Sequence, residues 1–295
     1  MSSAPSIAGQ AGPGAPSSRK FKAEITENAK VAPGHHLLSF KPLTVAPEPE
    51  PGQFYMLGVG ALHDPLLKRP FSLLRKNGLE HQILYRVRGR GTALMKGLEP
   101  GDIIEVVGPL GRPFPRHPKK STPLIVAGGV AIAAVFRLAE ALRALKPVIL
   151  YGARSKRELL MLEELEALAG ELRTSTEDGS HGRKGTVIDL FAGLPKGGYV
   201  LYACGPRGML KAVAGVARRR DIPGYVSMEE NMACGLGACL GCVVITKAGY
   251  KRVCKEGPVF RIEDIFWETI EGEALRDRPH NGRAFPVREG GVAAP

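Results

Sequence analysis

The sequence predicts a multi-domain chain of the β plus α/β class: a small antiparallel barrel, a doubly wound parallel α/β domain and a cysteine-rich C-terminal segment. Three observations predict it. Short alternating or apolar runs punctuated by Gly and Pro fill residues 21–118. Continuous apolar strands alternate with helical windows over residues 119–223. Four of the five cysteines, Cys234, Cys239, Cys242 and Cys254, then crowd into one short stretch. With 295 residues, 44% of them hydrophobic and 24% charged, the chain is long and apolar enough to bury real cores without disulfides.

The elements follow in chain order. Residues 1–20 are rich in Ser, Ala, Gly and Pro and bury too little apolar surface to offset the entropy of ordering, so a disordered extension is expected. They lack a charged start followed by an apolar run, so no secretory signal is read and a cytoplasmic address is expected. The barrel rests on runs at 22–27, 36–40, 52–59, 83–87 and 103–107, separated by turn residues. Within it, His35 and His36 read as ordinary surface residues. In the next domain, strands at 124–126, 148–151 and 199–202 alternate with helices at 135–145, 157–168 and 207–218, the pattern of a doubly wound parallel sheet. A cysteine-bearing segment at 224–270 and a polar tail at 271–295 complete the chain.

Charge excludes less than it suggests. Lys and Arg number 41 against 29 Asp and Glu, a formal +12. The basic residues form only short knots, at 112–120 and 218–220, without aromatic interleaving, so no nucleic-acid partner is expected. Anionic cofactors would absorb part of the excess. The longest uncharged apolar stretch, residues 123–136, has fourteen residues, short of the roughly twenty needed to cross a bilayer, so no membrane association is expected either.

The cysteines have the spacing C-x4-C-x2-C, with eleven residues between Cys242 and Cys254. This is the plant-type pattern for a [2Fe–2S] cluster: three thiolates on one glycine-rich loop and a fourth from elsewhere. Gly235, Gly237 and Gly241 let the backbone approach the inorganic sulfides and aim amides at them. Structural zinc is the competing reading, although zinc commonly takes two C-x2-C knuckles and this loop has one. Cys204 stands apart in Tyr202-Ala-Cys-Gly-Pro, either a small buried hydrophobe or, at the end of a strand in a doubly wound sheet, part of a cofactor site.

Arg69-Pro-Phe-Ser72 offers a guanidinium suited to a pyrophosphate and a hydroxyl, while Gly89-Arg-Gly-Thr92 offers a turn whose amides could cap a phosphate. Each is weak alone. In order and spacing, however, Arg-Pro-Phe-Ser, Gly-Thr, Gly108-Pro-Leu-Gly111, an apolar strand ending in glycines, and Cys-Gly-Pro resemble the ferredoxin reductase family. Met228-Glu-Glu-Asn-Met-Ala-Cys-Gly-Leu-Gly-Ala-Cys-Leu-Gly-Cys, residues 253–260 and Glu177-Asp-Gly-Ser-His-Gly-Arg-Lys-Gly185 narrow this to the electron-transfer subunits of heteromeric dihydroorotate dehydrogenase. The resemblance covers about residues 21–265.

The resemblance implies a flavin-binding barrel, a nicotinamide-binding domain and a [2Fe–2S] segment. It implies that Arg69, Pro70, Phe71 and Ser72 hold FAD, the first by its phosphates and the last by the isoalloxazine edge, with Leu84, Tyr85, Arg86, Gly91 and Thr92 completing that site. Gly128, Gly129, Cys204, Gly205 and Pro206 would face NAD, and Cys234, Cys239, Cys242 and Cys254 would carry the cluster. It further implies an FMN-containing catalytic partner subunit, in a heterotetramer of two plus two chains. Electrons would pass from dihydroorotate on that partner through the cluster and FAD to NAD+, within pyrimidine biosynthesis. FAD stands between a two-electron carrier and a one-electron carrier, so no protein acid or base is demanded and no residue is assigned as catalytic. Related subunits of NADPH–ferredoxin bifurcation or sulfide dehydrogenase type, and a non-enzymatic iron–sulfur sensor, share these motifs.

One departure stands out. The family pattern Gly-Gly-Val-Gly followed by Pro reads Gly128-Gly-Val-Ala-Ile-Ala-Ala134 here, and the methyl of Ala131 is expected to crowd the pyrophosphate approach. The residues do not select NAD over NADP.

Overall fold

The computed structural model describes residues 19–59 and 65–267. Residues 271–295 and all but the last two residues of the expected N-terminal extension lie outside them.

The first unit contains β1 (Arg19–Ala32), β2 (His35–Pro42), β3 (Phe54–Gly58), β4 (Arg69–Ser72), β5 (Arg75–Asn77), β6 (Glu80–Arg86), a short helix α1 (Arg90–Lys96) and β7 (Ile103–Leu110). All seven strands form one antiparallel sheet in the order β4-β3-β7-β1-β2-β6-β5. Its two edge strands, β4 and β5, are separated in the chain only by Leu73 and Leu74, so the sheet must curl until its edges approach. Period-two burial shows which face is inside: Phe21, Ala23 and Ile25 are buried while Lys20, Lys22 and Glu24 are exposed. Leu38, Phe40, Tyr55, Leu57, Ile83 and Val106 fill the same interior.

The second unit runs β8 (Thr122–Gly128), α2 (Ile132–Leu142), β9 (Val148–Ala153), α3 (Leu162–Leu168), β10 (Glu171–Thr176), β11 (Arg183–Lys184), β12 (Tyr199–Cys204), α4 (Arg207–Arg219) and β13 (Gly224–Ser227). The cysteine segment follows, with a hairpin of β14 (Val243–Thr246) and β15 (Gly249–Arg252), and then β16 (Val259–Arg261). The second sheet has the order β11-β10-β9-β8-β12-β13-β16, parallel throughout except for β16, which lies antiparallel on β13. The predicted fold class is the observed one. The stretch 224–270 is not separate from the sheet, since it supplies both β13 and β16.

Several local expectations are corrected. The helix expected at 157–168 is broken, because only a 3-10 turn at Lys156–Glu158 precedes α3, and Met161 takes a left-handed φ of 60°. The buried hydroxyl of Tyr151 accepts the amide of Leu160 at 2.9 Å, with the carbonyl oxygens of Gly129 and Glu158 at 3.1 and 3.2 Å, and Leu159 and Leu160 turn into the core. His35 and His36 are not surface residues: strand β2 places them at 3% and 6% exposure, with His36 stacked on Tyr85. Ala131 and Ala134 are both buried, and Ala131 has φ −68°, a conformation ordinary for any residue, so its methyl strains nothing in the backbone.

Candidate functional site

Strand β8 is flanked by β9 on one side and β12 on the other, so the connections leaving the carboxyl ends of β8 and β12 diverge. Such a divergence opens a crevice beyond the strand ends, the usual ligand position in a doubly wound sheet. Here a cleft of about 1480 Å³ opens between that point and the barrel. Its barrel wall includes Pro70, Phe71, Ser72, Leu84, Tyr85 and Arg86, and its sheet wall includes Gly128, Gly129 and Pro206. Residues chosen from separate motifs thus share one space.

The barrel wall is suited to a flat heteroaromatic ring. Strand β4 is a sheet edge, so the backbone polar groups on its outer side are not used by the ladder. Phe71 and Tyr85 meet edge to face at 6.1 Å. The sheet wall is built by close approach. A side-chain carbon on Gly128 would lie 2.6 Å from the sulfur of Met209 and 3.0 Å from the Pro206 ring, and one on Gly205 would lie 2.2 Å from the Met209 methyl. A side chain at either position would have to displace Met209, so the two glycines let the ends of β8 and β12 lie close against α4.

Five predicted cofactor residues do not line the cleft. Arg69 lies against Gly91, where an added side-chain carbon would be 2.7 Å from its Nε, and donates to the Leu67 carbonyl. The Thr92 hydroxyl closes its own turn, accepting the amides of Arg88 and Gly89 at 2.8 and 3.1 Å and donating to the Gly89 carbonyl. Cys204 and Gly205 sit under the floor. Cys204 is fully buried with its sulfur 3.9 Å from Glu229 Oε1, and burial together with the neighbouring carboxyl raises its thiol well above the usual range. Burial likewise pushes Glu229 up, partly offset by the thiol hydrogen bond.

Sequence reasoning missed several cleft residues. Glu229 and Glu230 flank it, with Glu230 paired to Arg207 at the start of α4. Glu158 receives Arg154 at 2.9 Å from its own turn and faces Arg86 of the barrel at 3.8 Å, so one ion pair joins the two walls of the cleft. The sequence signal for Glu229 and Glu230 is an acidic pair beside the cysteine motif, and Glu158 has none.

The four clustered thiols form two pairs. Cys234 accepts the amides of Leu236 and Cys239 at 3.4 and 3.5 Å. Burial works against its thiolate, but these amides and the Cys239 thiol bring it down to about 6. In the second pair, Cys254 donates its amide to Cys242 at 3.5 Å, and burial plus that neighbouring thiol push Cys254 up to about 12. Among the described residues no three His, Cys, Asp or Glu groups converge as one mononuclear metal site. Two thiol pairs with inward-facing amides fit a two-iron centre, whose irons each take two thiolates and whose sulfurs accept hydrogen bonds. Cys242 and Cys254 are buried, while Cys239 is exposed. Gly235 has φ 68°, and a side chain there would strike Met56 of β3 at 2.6 Å, so the loop is seated directly on the barrel.

Comparison with known proteins agrees with this geometry. Residues 229–266 match the iron–sulfur cluster binding domain of dihydroorotate dehydrogenase B, which resolves the choice between iron–sulfur and zinc, and residues 125–215 match the oxidoreductase NAD-binding domain. The electron transfer subunit of dihydroorotate dehydrogenase B (NAD(+)) from Geobacillus kaustophilus is 42% identical over 225 residues, 73% of this chain and 86% of the relative. Its counterpart from Caldanaerobacter subterraneus subsp. tengcongensis is 38% identical over 252 residues, covering 84% of this chain and 99% of the relative.

The chain belongs to this family of electron transfer subunits.

Among solved structures, a chain of the NADH-dependent reduced ferredoxin-NADP oxidoreductase superposes with a TM-score of 0.74 at 30% identity, over 84% of this chain and 90% of that one. The cytochrome b5 reductase domain of Ulva prolifera nitrate reductase, at 17% identity and TM-score 0.58, covers 69% of this chain and 94% of its own and shares the fold. Within the family, the cleft and the thiol pairs are the features to be explained. No helix of the described residues is long and apolar enough to cross a membrane.

Proposed function

We propose that this chain is the electron-transfer subunit of a dihydroorotate dehydrogenase, linking a partner's dihydroorotate-oxidising FMN centre to NAD+ through [2Fe–2S] and FAD. The observation that carries the reading is the shared cleft: the open edge of β4 and the glycine-bounded ends of β8 and β12 face one another across it. Held there, FAD and NAD would supply hydride exchange, and the cluster would supply single-electron transfer.

The chain's own residues bind and orient. Pro70, Phe71 and Ser72 would hold FAD at the β4 edge, with Leu84, Tyr85 and Arg86 completing that wall of the cleft. Arg69, braced on Gly91, supplies a charge for the pyrophosphate, and Thr92 fixes the turn beside it. Gly128, Gly129 and Pro206 would admit the nicotinamide nucleotide, with Cys204 and Gly205 packed beneath them. Cys234, Cys239, Cys242 and Cys254 hold the cluster. The cysteine loop touches β3, the strand that pairs with β4, so the cluster and flavin sites are built on adjoining parts of one sheet.

A partner subunit has a face to meet. Leu236, Leu240, Val243 and Tyr250 are exposed apolar side chains of the cysteine-bearing segment, in which Cys239 is the thiol nearest solvent. Electron transfer needs close approach of donor and acceptor, and apolar side chains exclude water from that contact. A two-plus-two assembly and a cytoplasmic location belong to this reading. Likeness to the bifurcating oxidoreductase favours a second one, in which the same modules serve a different companion chain.

The deciding experiment is anaerobic titration of the purified protein with NADH and then NADPH, following flavin and iron–sulfur absorbance together. Bleaching of both chromophores by NADH supports the reading. A protein that contains both but is reduced by neither nucleotide overturns the NAD-linked role.

A further inference from the structure

The fourth cluster thiol comes from a turn far along the chain from the loop that carries the first three, and one side chain ties them together. Arg252, at the end of β15, donates from a guanidinium nitrogen to the carbonyl of Gly237 at 2.8 Å. Its Nε and its other terminal nitrogen hold both oxygens of Glu256, the former at 2.9 Å. Glu256 returns the contact by accepting the Arg252 amide at 2.8 Å. The Arg252 carbonyl accepts the amides of Lys255, Glu256 and Gly257 at 2.9–3.2 Å. Cys254 therefore sits in a turn closed from both ends by Arg252 and Glu256.

The other end of this clamp is the Gly237 residue, whose two flanking peptide groups meet at its Cα. Its carbonyl is held by Arg252, while its N–H faces the Cys254 sulfur. Gly237 has φ 84°, and a side-chain carbon there would lie 2.7 Å from the Lys255 side chain and 3.4 Å from the guanidinium, so this residue is gripped on each side. The guanidinium is 28% exposed and close enough to Cys242 and Cys254 to act on their charges.

We propose that Arg252 is a positioning residue for the cluster, which locks the backbone at Gly237 through its carbonyl so that the N–H of the same residue donates to the Cys254 sulfur and thereby sets the cluster's reduction potential. A donor aimed at a thiolate sulfur favours the more negative, reduced centre, and so does a nearby cation. Glu256 aims the guanidinium, and the planar fork of Arg252 lets one side chain serve Glu256 and Gly237 together.

This inference rests on the assignment of [2Fe–2S] to the four cysteines. The test compares wild type, Arg252→Gln and Arg252→Lys as full chains, by potentiometric titration and by electron paramagnetic resonance of the reduced cluster. The glutamine variant should keep FAD, show a more negative cluster potential and altered g-values, and lose its cluster to a chelator several-fold faster. The lysine variant keeps the charge but cannot reach both partners, and should fall between the two. Wild-type potential and g-values in both variants overturn the proposal. Should the glutamine variant retain FAD but no cluster, the lysine variant decides: an intermediate potential, or an empty site with FAD retained, supports the clamp, and a wild-type potential refutes it. Loss of FAD from both variants also refutes it, because Arg252 would then be a general folding residue. A wild-type protein without an iron–sulfur signal would instead sink the cluster assignment itself.

Discussion

Acid should destabilise this protein in part through one buried histidine, His81, and replacing it should remove that part of the effect. His81 lies on β6 opposite Phe40, 2% exposed, with its ring 5.4 Å from Phe40 and 5.5 Å from Tyr55. Its Nδ1 has no hydrogen-bond partner. Burial, with a smaller push from Lys76, lowers its pKa from 6.5 to about 4. The unfolded chain takes up this proton near the ordinary value and the folded chain only near the depressed one. Stability from this group is therefore present above pH 6.5 and is lost as pH falls toward about 4. A depression of that size corresponds to roughly 3 kcal/mol. His81→Leu keeps an apolar side chain against Phe40 and Tyr55 and removes the titration. Urea unfolding of the full chain, followed by circular dichroism from pH 7.5 down to 4, should show wild-type stability falling more steeply than the variant's, by about 3 kcal/mol over the range. Parallel curves for the two proteins would refute the reasoning, as would a His81 ring that titrates near 6.5 by nuclear magnetic resonance.

Other substitutions probe the cleft and the cluster. Arg69→Ala should weaken FAD retention by roughly 1.5–3 kcal/mol, the loss of one charge-assisted hydrogen bond, measured by flavin fluorescence on dilution; unchanged affinity would remove Arg69 from the site. Ala131→Gly should leave the NADH dissociation constant within a few-fold of wild type, because the alanine already has ordinary backbone angles; a large gain in affinity would show that the methyl does crowd the nucleotide. Cys239→Ser should abolish the cluster's visible absorbance while FAD stays bound, and simultaneous loss of flavin would deny that the sites are separable. Glu229 is held above the ordinary carboxylate range by burial, so its ionisation costs stability as pH rises through that raised value. Glu229→Gln should flatten the loss of stability that sets in as pH rises above the ordinary carboxylate value, and an unchanged profile in thermal melts would contradict this.

What the sequence shows most clearly is chemistry carried by local spacing. The C-x4-C-x2-C loop needs only its own residues to be recognised, and the structure supplies the amides that such spacing implies. Barrel strands with alternating burial, such as β1, are equally legible, because side-chain period and sheet face coincide. Features made by distant residues are not. The break before α3 depends on the Tyr151 hydroxyl reaching Leu160, and no local propensity encodes that contact. Strand β10, Glu-Leu-Arg-Thr-Ser-Thr, lacks an apolar run and is a strand because it pairs with β9 and β11. Helix α1 begins between two glycines and is closed by Thr92, so helical periodicity has too few residues in which to appear. His35 and His36 look like surface residues in sequence because polarity is local and burial is not.

The cysteine-bearing excursion leaves the sheet from β13 and re-enters it on β16, the strand directly beside β13. An arm joined by one flexible link can swing between donor and acceptor, whereas a loop stapled at both feet to neighbouring strands cannot. Electron delivery in this protein should accordingly behave as conduction through a fixed span, with a rate insensitive to solvent viscosity once the partner is docked. A change in that span would have to come from repacking the loop against the barrel, at contacts such as Gly235 on Met56, and not from movement of a domain.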